Sequence, residues 1–174
     1  MPIVLNGTTG DISGSSLTGI DTGKILQVKQ TVKLDTFSTT STTLVDITGL
    51  SVSITPSATS SKVLVRCSVP MGTFSGNFSY AQLVRGSTFL GEAAAAGNRV
   101  RPTFMFYQHH DTTLLMQNYE FLDSPNTTSA TTYKMQLRCA TSGTAYVGRT
   151  HQDGDGVNVE PRFSSTITAT EVAA

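Results

Sequence analysis

The histidines and their acidic neighbours are the residues with the clearest potential for chemistry. All three occur in two short runs, HHD at 109–111 and HQDGDG at 151–156. A metal site needs three or four ligands that converge on one point. His109 and His110, as neighbours on a predicted strand, would point to opposite faces, so only one of them could join such a site. The DGDG run is similar to a calcium loop only in part, because Ser164 stands where the twelfth loop position requires Glu. We therefore predict solvated loop and strand-end residues here, and no metal site.

Nucleophilic catalysis requires Ser or Cys beside a positioned His and a third orienting group. The chain contains no GxSxG motif, and it has neither a GxxxxGK[ST] nor a GxGxxG phosphate loop. Cys67 and Cys139 fall on the apolar faces of predicted strands, which is typical of buried, unreactive thiols. We predict a protein that is not an enzyme, with no catalytic residue and no cofactor.

The stretch NRVRPTFMFYQHHD, residues 98–111, mixes basic and aromatic side chains. Stacking combined with charge is a way to hold sugars or single strands of nucleic acid. Phe104 and Phe106 share one face of a predicted strand and are expected in the core, whereas Tyr107 faces the other side. The residues of this stretch that we predict to contact a ligand or another subunit are Arg99, Arg101, Tyr107 and His110.

The composition limits the classes of partner that this chain is expected to bind. The formal net charge is zero, and charged residues make up 14% of the chain, against about 25% in typical globular domains. A surface that is polar mainly through Ser and Thr attracts neither nucleic acid nor an anionic membrane. The N-terminus does not resemble a secretory signal, and no apolar run reaches the roughly 18 residues that span a bilayer. We expect assembly in a reducing cytoplasm, where thiols stay free.

The predicted secondary structure consists almost entirely of strands, so strands and their connecting loops must position any functional site. KVLVRCSV (62–69) and TTYKMQLRC (131–139) alternate apolar and polar residues with a period of two, which predicts strands with one buried face. The only helix-friendly run, 92–96, is too short for a stable helix and predicts a turn or loop. Many short strands separated by turns predict an all-β fold, an antiparallel β-sandwich of the jelly-roll type. Further strands are predicted at 25–34, 42–47, 50–55, 78–85, 103–109, 113–121, 144–149 and 164–172.

Residues 1–24 differ from the rest of the chain. Pro2 to Leu5 could add one strand to a sheet, and residues 6–24 contain five glycines and few apolar side chains. Such a segment cannot bury enough surface to order itself. It is either a loose terminus or an extended docking arm that lies on another chain. We favour the arm and a body at 25–174, because large apolar residues recur at intervals as anchors: Ile3, Leu5, Ile12, Leu17 and Ile20.

Three stretches carry a resemblance to a known group of proteins. They are MPIVLNGTTGDISGSSLTGI, the longer TGKILQVKQTVKLDTFSTTSTTLVDITGLSVSITPSATSSKVLVRCSV, and AQLVRGSTFLG. Together with a terminal ITATEV strand, they resemble virion structural proteins of tailed bacteriophages of the marine and cyanobacterial type. The resemblance covers most of residues 1–90 and implies a trimeric jelly-roll module of a fibre, an appendage or a capsid decoration.

The resemblance and the composition lead to one expected function and one alternative. We expect a virion protein that assembles in the host cytoplasm with itself, as a homotrimer, and with other virion proteins of the portal, tail or capsid. The alternative is a lectin-like module at a fibre tip that binds host-surface polysaccharide. Sugar sites use exposed aromatic rings, and the candidates are Tyr80, Tyr107, Tyr119 and Tyr146.

Overall fold

The computed structural model of this chain describes residues 24–74, 76–155 and 159–173. The predicted arm, with all five of its apolar anchors, lies outside the described residues except for Lys24. Within the described ranges no helix is long and apolar enough to cross a membrane. The strands are β1 (Ile25–Lys33), β2 (Phe37–Thr39), β3 (Val45–Ile54), β4 (Lys62–Thr73), β5 (Phe78–Arg85), β6 (Thr88–Phe89), β7 (Phe104–Tyr107), β8 (Leu115–Asp123), β9 (Thr131–Cys139), β10 (Ala145–Val147) and β11 (Ser165–Val172).

The strands form two antiparallel sheets. The first sheet has the order β1-β11-β4-β8. Beyond the end of β11, the short strand β10 pairs with the last residues of β4, and β2 pairs with the other edge of β10. The second sheet has the order β3-β9-β5-β7, and β6 pairs with the other end of β5. This strand order is that of the jelly roll, in which two Greek keys are wrapped into facing sheets. The predicted fold class is confirmed.

The core lies between the sheets and follows the predicted alternation. In β4, Val63, Val65 and Val69 are fully buried and face the second sheet. In β9, Tyr133, Met135 and Leu137 are fully buried and face the first. Each such side chain contributes about 1.5–3 kcal/mol through removal from water. The predicted burial of Phe104 and Phe106 is likewise confirmed.

Several predicted strand boundaries were wrong, and two short strands were missed. β4 continues to Thr73 instead of ending at 69, and β8 spans Leu115–Asp123 instead of 113–121. The two strands predicted at 42–47 and 50–55 are one strand, β3, whose register shifts between Asp46 and Ser51. Gly49 has a φ of +80° within this irregularity, so the turn-forming residue makes a bulge instead of ending the strand. β7 ends at Tyr107, two residues earlier than predicted. β2 and β6 were missed because strands of three and two residues are too short to show alternation.

β1 is oriented unlike the other long strands. Val28 and Val32 pair with Thr170 and Thr166 of β11, and all four residues lie on the outer face of the first sheet. Gln27, Thr31 and Lys33 face inward instead, whereas Gln30 lies between the two valines on the outer face and donates to Thr168 Oγ1 at 2.8 Å. The Lys33 side chain is buried, and its Nζ lies 2.8 Å from the Asp35 carboxylate. The edge strand therefore presents its apolar side to solvent.

Two buried carboxylates close one end of the core. In the register of the first sheet, Gln27, Glu171, Val63 and Asp123 lie side by side in one row across β1, β11, β4 and β8. Glu171 is fully buried and accepts hydrogen bonds from Gln27 Nε2 at 2.6 Å, Ser57 N at 2.7 Å and Ser57 Oγ at 2.6 Å. Burial by itself raises the pKa of this carboxyl, but the hydrogen bonds from Ser57 and Gln27 outweigh it and lower the pKa to about 2.

Asp123 connects the two sheets at the same end. It lies in β8 of the first sheet and accepts hydrogen bonds from Arg85 Nη1, at 2.9 and 2.7 Å, and from Tyr133 Oη at 2.7 Å. Arg85 and Tyr133 belong to β5 and β9 of the second sheet. Burial of the phenol, reinforced by its bond to Asp123, raises the pKa of Tyr133. A buried carboxylate held in this way stabilises one alignment of the sheets, because any other alignment leaves it unpaired.

The row of carboxylates predicts a specific dependence of stability on pH. Because the pKa of Glu171 falls from 4.5 to about 2 on folding, its stabilisation is complete above pH 4.5 and is lost as the pH falls through 2. We expect Glu171→Gln to lower the free energy of unfolding by about 2 kcal/mol at pH 7, since the new amide donors face the donors of Ser57 and Gln27. The difference in the free energy of unfolding between this variant and the native protein should shrink as the pH falls from 4.5 to 2.

Urea unfolding at a series of pH values measures this effect. The matched control is Glu120→Gln, which alters an exposed carboxylate on the outer face of the same sheet and should change stability by less than about 0.5 kcal/mol. A difference between Glu171→Gln and the native protein that stays constant from pH 7 to 2 would contradict the assigned role of the carboxylate.

Candidate functional site

A long loop covers part of the outer face of the second sheet. It starts at Leu90, whose N donates to Leu83 O at 3.0 Å, and returns at Thr103, whose Oγ1 accepts from Leu83 N at 2.9 Å. Gln82 faces this loop from β5 and donates to Leu90 O at 3.0 Å, and its side chain is buried as a result. The loop is therefore attached to the sheet at both of its ends.

Gly91 is required where this loop leaves the sheet. Its φ is +68°, in the left-handed region that favours glycine. A Cβ atom at this position would lie 2.0 Å from the hydroxyl oxygen of Tyr119. Only glycine allows the loop to pass the Tyr119 ring here and then turn over the sheet.

A cavity of about 260 Å³ lies between the loop and the sheet. The sheet contributes Tyr80 and Gln82 from β5 and Arg138 from β9, with Leu44 just before β3. The loop and the preceding strand provide the opposite wall. The residues of that wall are Phe89, Glu92, Arg99, Val100, Arg101 and Pro102. We call this space the arginine cavity.

The Tyr80 and Arg138 side chains form one wall as a unit. The two residues are directly opposite each other in the β5–β9 pair, and both point outward. The Arg138 guanidinium carbon lies 4.7 Å from the centre of the Tyr80 ring, which is a cation–π contact. Arg138 Nη1 also donates to the carbonyls of Thr42 at 3.2 Å and Cys139 at 3.3 Å. These contacts fix both the ring and the charge.

The charges around the arginine cavity are unbalanced. Arg101 Nη2 lies 3.2 Å from the Glu92 carboxylate, so this pair is neutral. Arg99 donates to Ala96 O at 3.3 Å, and Arg138 donates to carbonyls only, so neither has an acidic partner in the described part of the chain. Three guanidinium groups thus surround the cavity with one carboxylate, and the potential inside it is positive.

The structure brings together two of the four residues that the sequence predicted as contacts. Arg99 and Arg101 line the arginine cavity, whereas Tyr107 and His110 do not. Tyr107 packs against Phe78, with ring centres 4.5 Å apart. His110 is exposed in a bend beyond β7, where its Nδ1 lies 3.0 Å from Thr112 Oγ1. Whether any of the four residues binds a ligand or another subunit stays a prediction.

Sequence analysis missed Arg138 and Gln82. The alternation placed Arg138 on the polar face of its strand, but it did not show that β9 pairs with β5 in the register that sets Arg138 against Tyr80. Of the other proposed sugar-binding rings, Tyr119 packs edge-on against Phe104 at 6.1 Å, and Tyr146 is buried. Tyr80 is the only one of the four candidates that lines the arginine cavity.

His109 and His110 are exposed beyond the end of a strand, as predicted for solvated loop and strand-end residues. His109 and His110 both follow the end of β7 in a bend, so the expectation that they sit on opposite faces of a strand was wrong. His151 Nδ1 lies 2.8 Å from Tyr146 Oη. Asp153 pairs with Arg162 at 2.9 Å, and hydrogen bonding from that guanidinium lowers the pKa of the carboxyl. The described residues contain no group of three His, Cys, Asp or Glu that could hold a metal ion.

Both cysteines are buried and free, as predicted. Burial raises the pKa of the Cys67 thiol to about 12 and also raises the pKa of Cys139. Cys139 Sγ donates to the carbonyls of Thr39 and Gly143, each at 3.4 Å. A thiol that stays protonated and is shielded from solvent is a poor nucleophile.

Comparisons with known proteins place the chain in no established group. No family model matches the chain, and no curated protein does. Three solved structures that match over 100% of this chain are particles of infectious bursal disease virus. For the Gt strain the identity is 18%, the TM-score 0.42 and the coverage of that chain 42%. For the T13 viral particle the identity is 15%, the TM-score 0.43 and the coverage of that chain 40%. For T=1 particles derived from the virus the identity is 17%, the TM-score 0.41 and the coverage 41%. The chain thus spans about two-fifths of those chains, and with TM-scores below 0.5 the similarity assigns neither a family nor a function.

Proposed function

We propose that this protein is a non-enzymatic structural protein of a virus particle. In its specific form, the proposal is a homotrimeric jelly-roll module of a fibre, an appendage or a decoration of a tailed phage. Residues 1–24 would anchor the module to other virion proteins of the portal, tail or capsid. The resemblance of residues 1–90 to such proteins supports the proposal, and the observation that carries it is the apolar surface of β1.

The β1 surface consists of Ile25, Val28 and Val32 on the outer face and Leu34 just after the strand. Their exposed fractions are 61%, 56%, 48% and 80%, which are large values for aliphatic side chains so close together. Burying such groups is favourable by about 25 cal/mol for each Å² removed from water. Exposed apolar side chains grouped in this way, with only Gln30 between the two valines, favour a contact with another protein.

The outer face beside β1 suits a second copy of the same chain. Val28, Thr170, Leu64 and Leu122 form one row across the four strands of the first sheet. The charged pair on this face, Arg66 with Glu120, is neutral as a unit. Lys62, on the same side of β4 as Arg66, is the one further charge among the strand residues of this face, so two identical faces repel each other only weakly when they meet.

The free edge of β1 provides a second means of association. β1 pairs only with β11, so the backbone groups on its other edge have no strand partner among the described residues. Such an edge accepts a further strand from another chain. Pro2 to Leu5, the apolar start of the proposed arm, is a segment that could supply one. The proposed arm directly precedes β1 in the sequence.

Replacing apolar residues of the β1 surface should disrupt the trimer. We expect the double variant Val28→Lys, Val32→Lys to be a folded monomer, because repeated positive charges oppose the contact between copies and both side chains point to solvent. Light scattering after gel filtration, at several protein concentrations, gives the mass. Thermal unfolding shows that the variant is folded.

The matched control is Met105→Lys, which introduces the same charge at a residue that is also 56% exposed but lies on the outer face of the second sheet. It should remain trimeric. A native protein that is monomeric at tens of µM, or a double variant with the native mass, would reject the role of the β1 surface.

Removing the arm should separate folding from assembly. A chain that begins at Lys24 retains the hydrogen bond from Ala173 N to Lys24 O, at 2.9 Å, and every residue of the hydrophobic core cluster. We expect its melting temperature to stay within about 4 °C of the native value, a shift that corresponds to about 1 kcal/mol for a body of this size. We also expect it to be lost from assembled particles, as measured by immunoblotting of purified virions. Incorporation at the native level would refute the arm.

A further inference from the structure

We propose that the arginine cavity binds a sugar unit that carries a carboxylate. This inference deepens the alternative function predicted from the sequence, a module that binds surface polysaccharide. It does not depend on the structural role proposed above, because the arginine cavity lies on the second sheet and the β1 surface on the first.

The chemistry of the arginine cavity selects an anion. The guanidinium groups of Arg99 and Arg138 have no acidic partner in the described structure, and both line the same small space. A guanidinium group presents parallel N–H donors that match the two oxygens of a carboxylate. In a partly enclosed site the attraction is stronger than on an open surface, because less water screens it.

The remaining lining favours a sugar as the carrier of that carboxylate. Tyr80, Phe89 and Pro102 provide flat or apolar walls, and Gln82 adds a side-chain amide. A sugar ring has an apolar C–H face that packs on such walls and hydroxyl groups that bond to polar atoms. The volume of about 260 Å³ lies just below the roughly 300–1,000 Å³ of pockets for drug-sized ligands, so it suits one small unit. Phe89 is 44% exposed at the rim, where linked sugars can continue outside.

The site is arranged before any ligand arrives. Arg138 is held over the Tyr80 ring and by two carbonyls, and Leu90 and Thr103 attach the loop to β5. A ligand therefore does not have to order these groups, and the entropic cost of binding is small. Arg99 is exposed, and its guanidinium donates to Ala96 O, so its remaining N–H donors are available to the carboxylate.

An acidic peptide fits the arginine cavity less well than a sugar does. Extended peptides bind chiefly through main-chain hydrogen bonds to a free strand edge. The floor of the arginine cavity is formed by β5 and β9, which are paired with each other from Ser79 to Arg85. Their main-chain groups are consequently occupied, so the floor of the arginine cavity offers side chains only.

Calorimetric titration of the full-length protein tests the proposal. The probes are oligosaccharides that carry galacturonate, glucuronate or sialate, each paired with its methyl ester. We expect at least one acid to bind and its ester to bind about tenfold more weakly or not at all, because the ester lacks the charge that accepts from arginine. Arg138→Gln and, separately, Arg99→Gln should each weaken binding of the acid by about tenfold.

The matched control is Arg66→Gln, which removes an exposed guanidinium from the outer face of the opposite sheet and should leave binding unchanged. Arg99→Gln alters an exposed side chain on a loop, so it keeps the test valid if Arg138→Gln impairs folding. No binding of any acid, equal binding of acid and ester, or native binding by both cavity variants would overturn the proposal. Tighter binding of a glutamate-rich peptide than of every sugar would also overturn it. The oligomer mass, measured on the same samples, reports the structural role separately.

Discussion

The contact of Asp123 with Arg85 and Tyr133 determines how the two sheets face each other. It places a carboxylate of the first sheet between two residues of the second, inside the sandwich. A slip of one residue in any of the three strands would turn its side chain to the opposite face and leave a buried charge unpaired. Glu171 lies in the same row and is satisfied by Gln27 and Ser57, so it fixes β1 and the loop before β4 at the same end.

Because the inner faces are set in this way, the outer faces are set too. β1 must turn Gln27 and Lys33 inward, and its valines consequently point to solvent. β5 and β9 must turn Leu83 and Leu137 inward, and Tyr80 and Arg138 then meet on the outside. The apolar β1 surface and the arginine cavity therefore lie on opposite sheets of one sandwich. An assembly contact on one side would leave the other side accessible, so the two proposed roles, structural and sugar-binding, are compatible on one chain.

The sequence predicted the fold well where strands are long and have one buried face. β5 and β9 were predicted with the bounds that they have, and the apolar residues of β4 and β9 lie in the core as the predicted alternation requires. The errors occur where another constraint overrides the alternation. Gly49 was interpreted as a turn but forms a bulge within β3, because local sequence does not reveal whether the ladder resumes after a shift. β1 alternates too, but the sequence does not show which of its faces is buried. The contacts of Gln27 with Glu171 and of Lys33 with Asp35 hold its polar residues inward, and its apolar side therefore faces solvent.

For the arginine cavity too, some features follow from the sequence and others only from the tertiary structure. By itself, the sequence determined that the chain is a sandwich, that its thiols are buried and that Arg99 and Arg101 belong to a stretch with basic and aromatic character. These conclusions follow from local periodicity and composition, which need no knowledge of distant neighbours. The tertiary structure alone decided that Arg138, 37 positions from Arg101, joins the same cavity, and that Tyr107 and His110 stay outside it. Strand pairing and the path of the loop set those distances, and both depend on contacts between residues far apart in the chain.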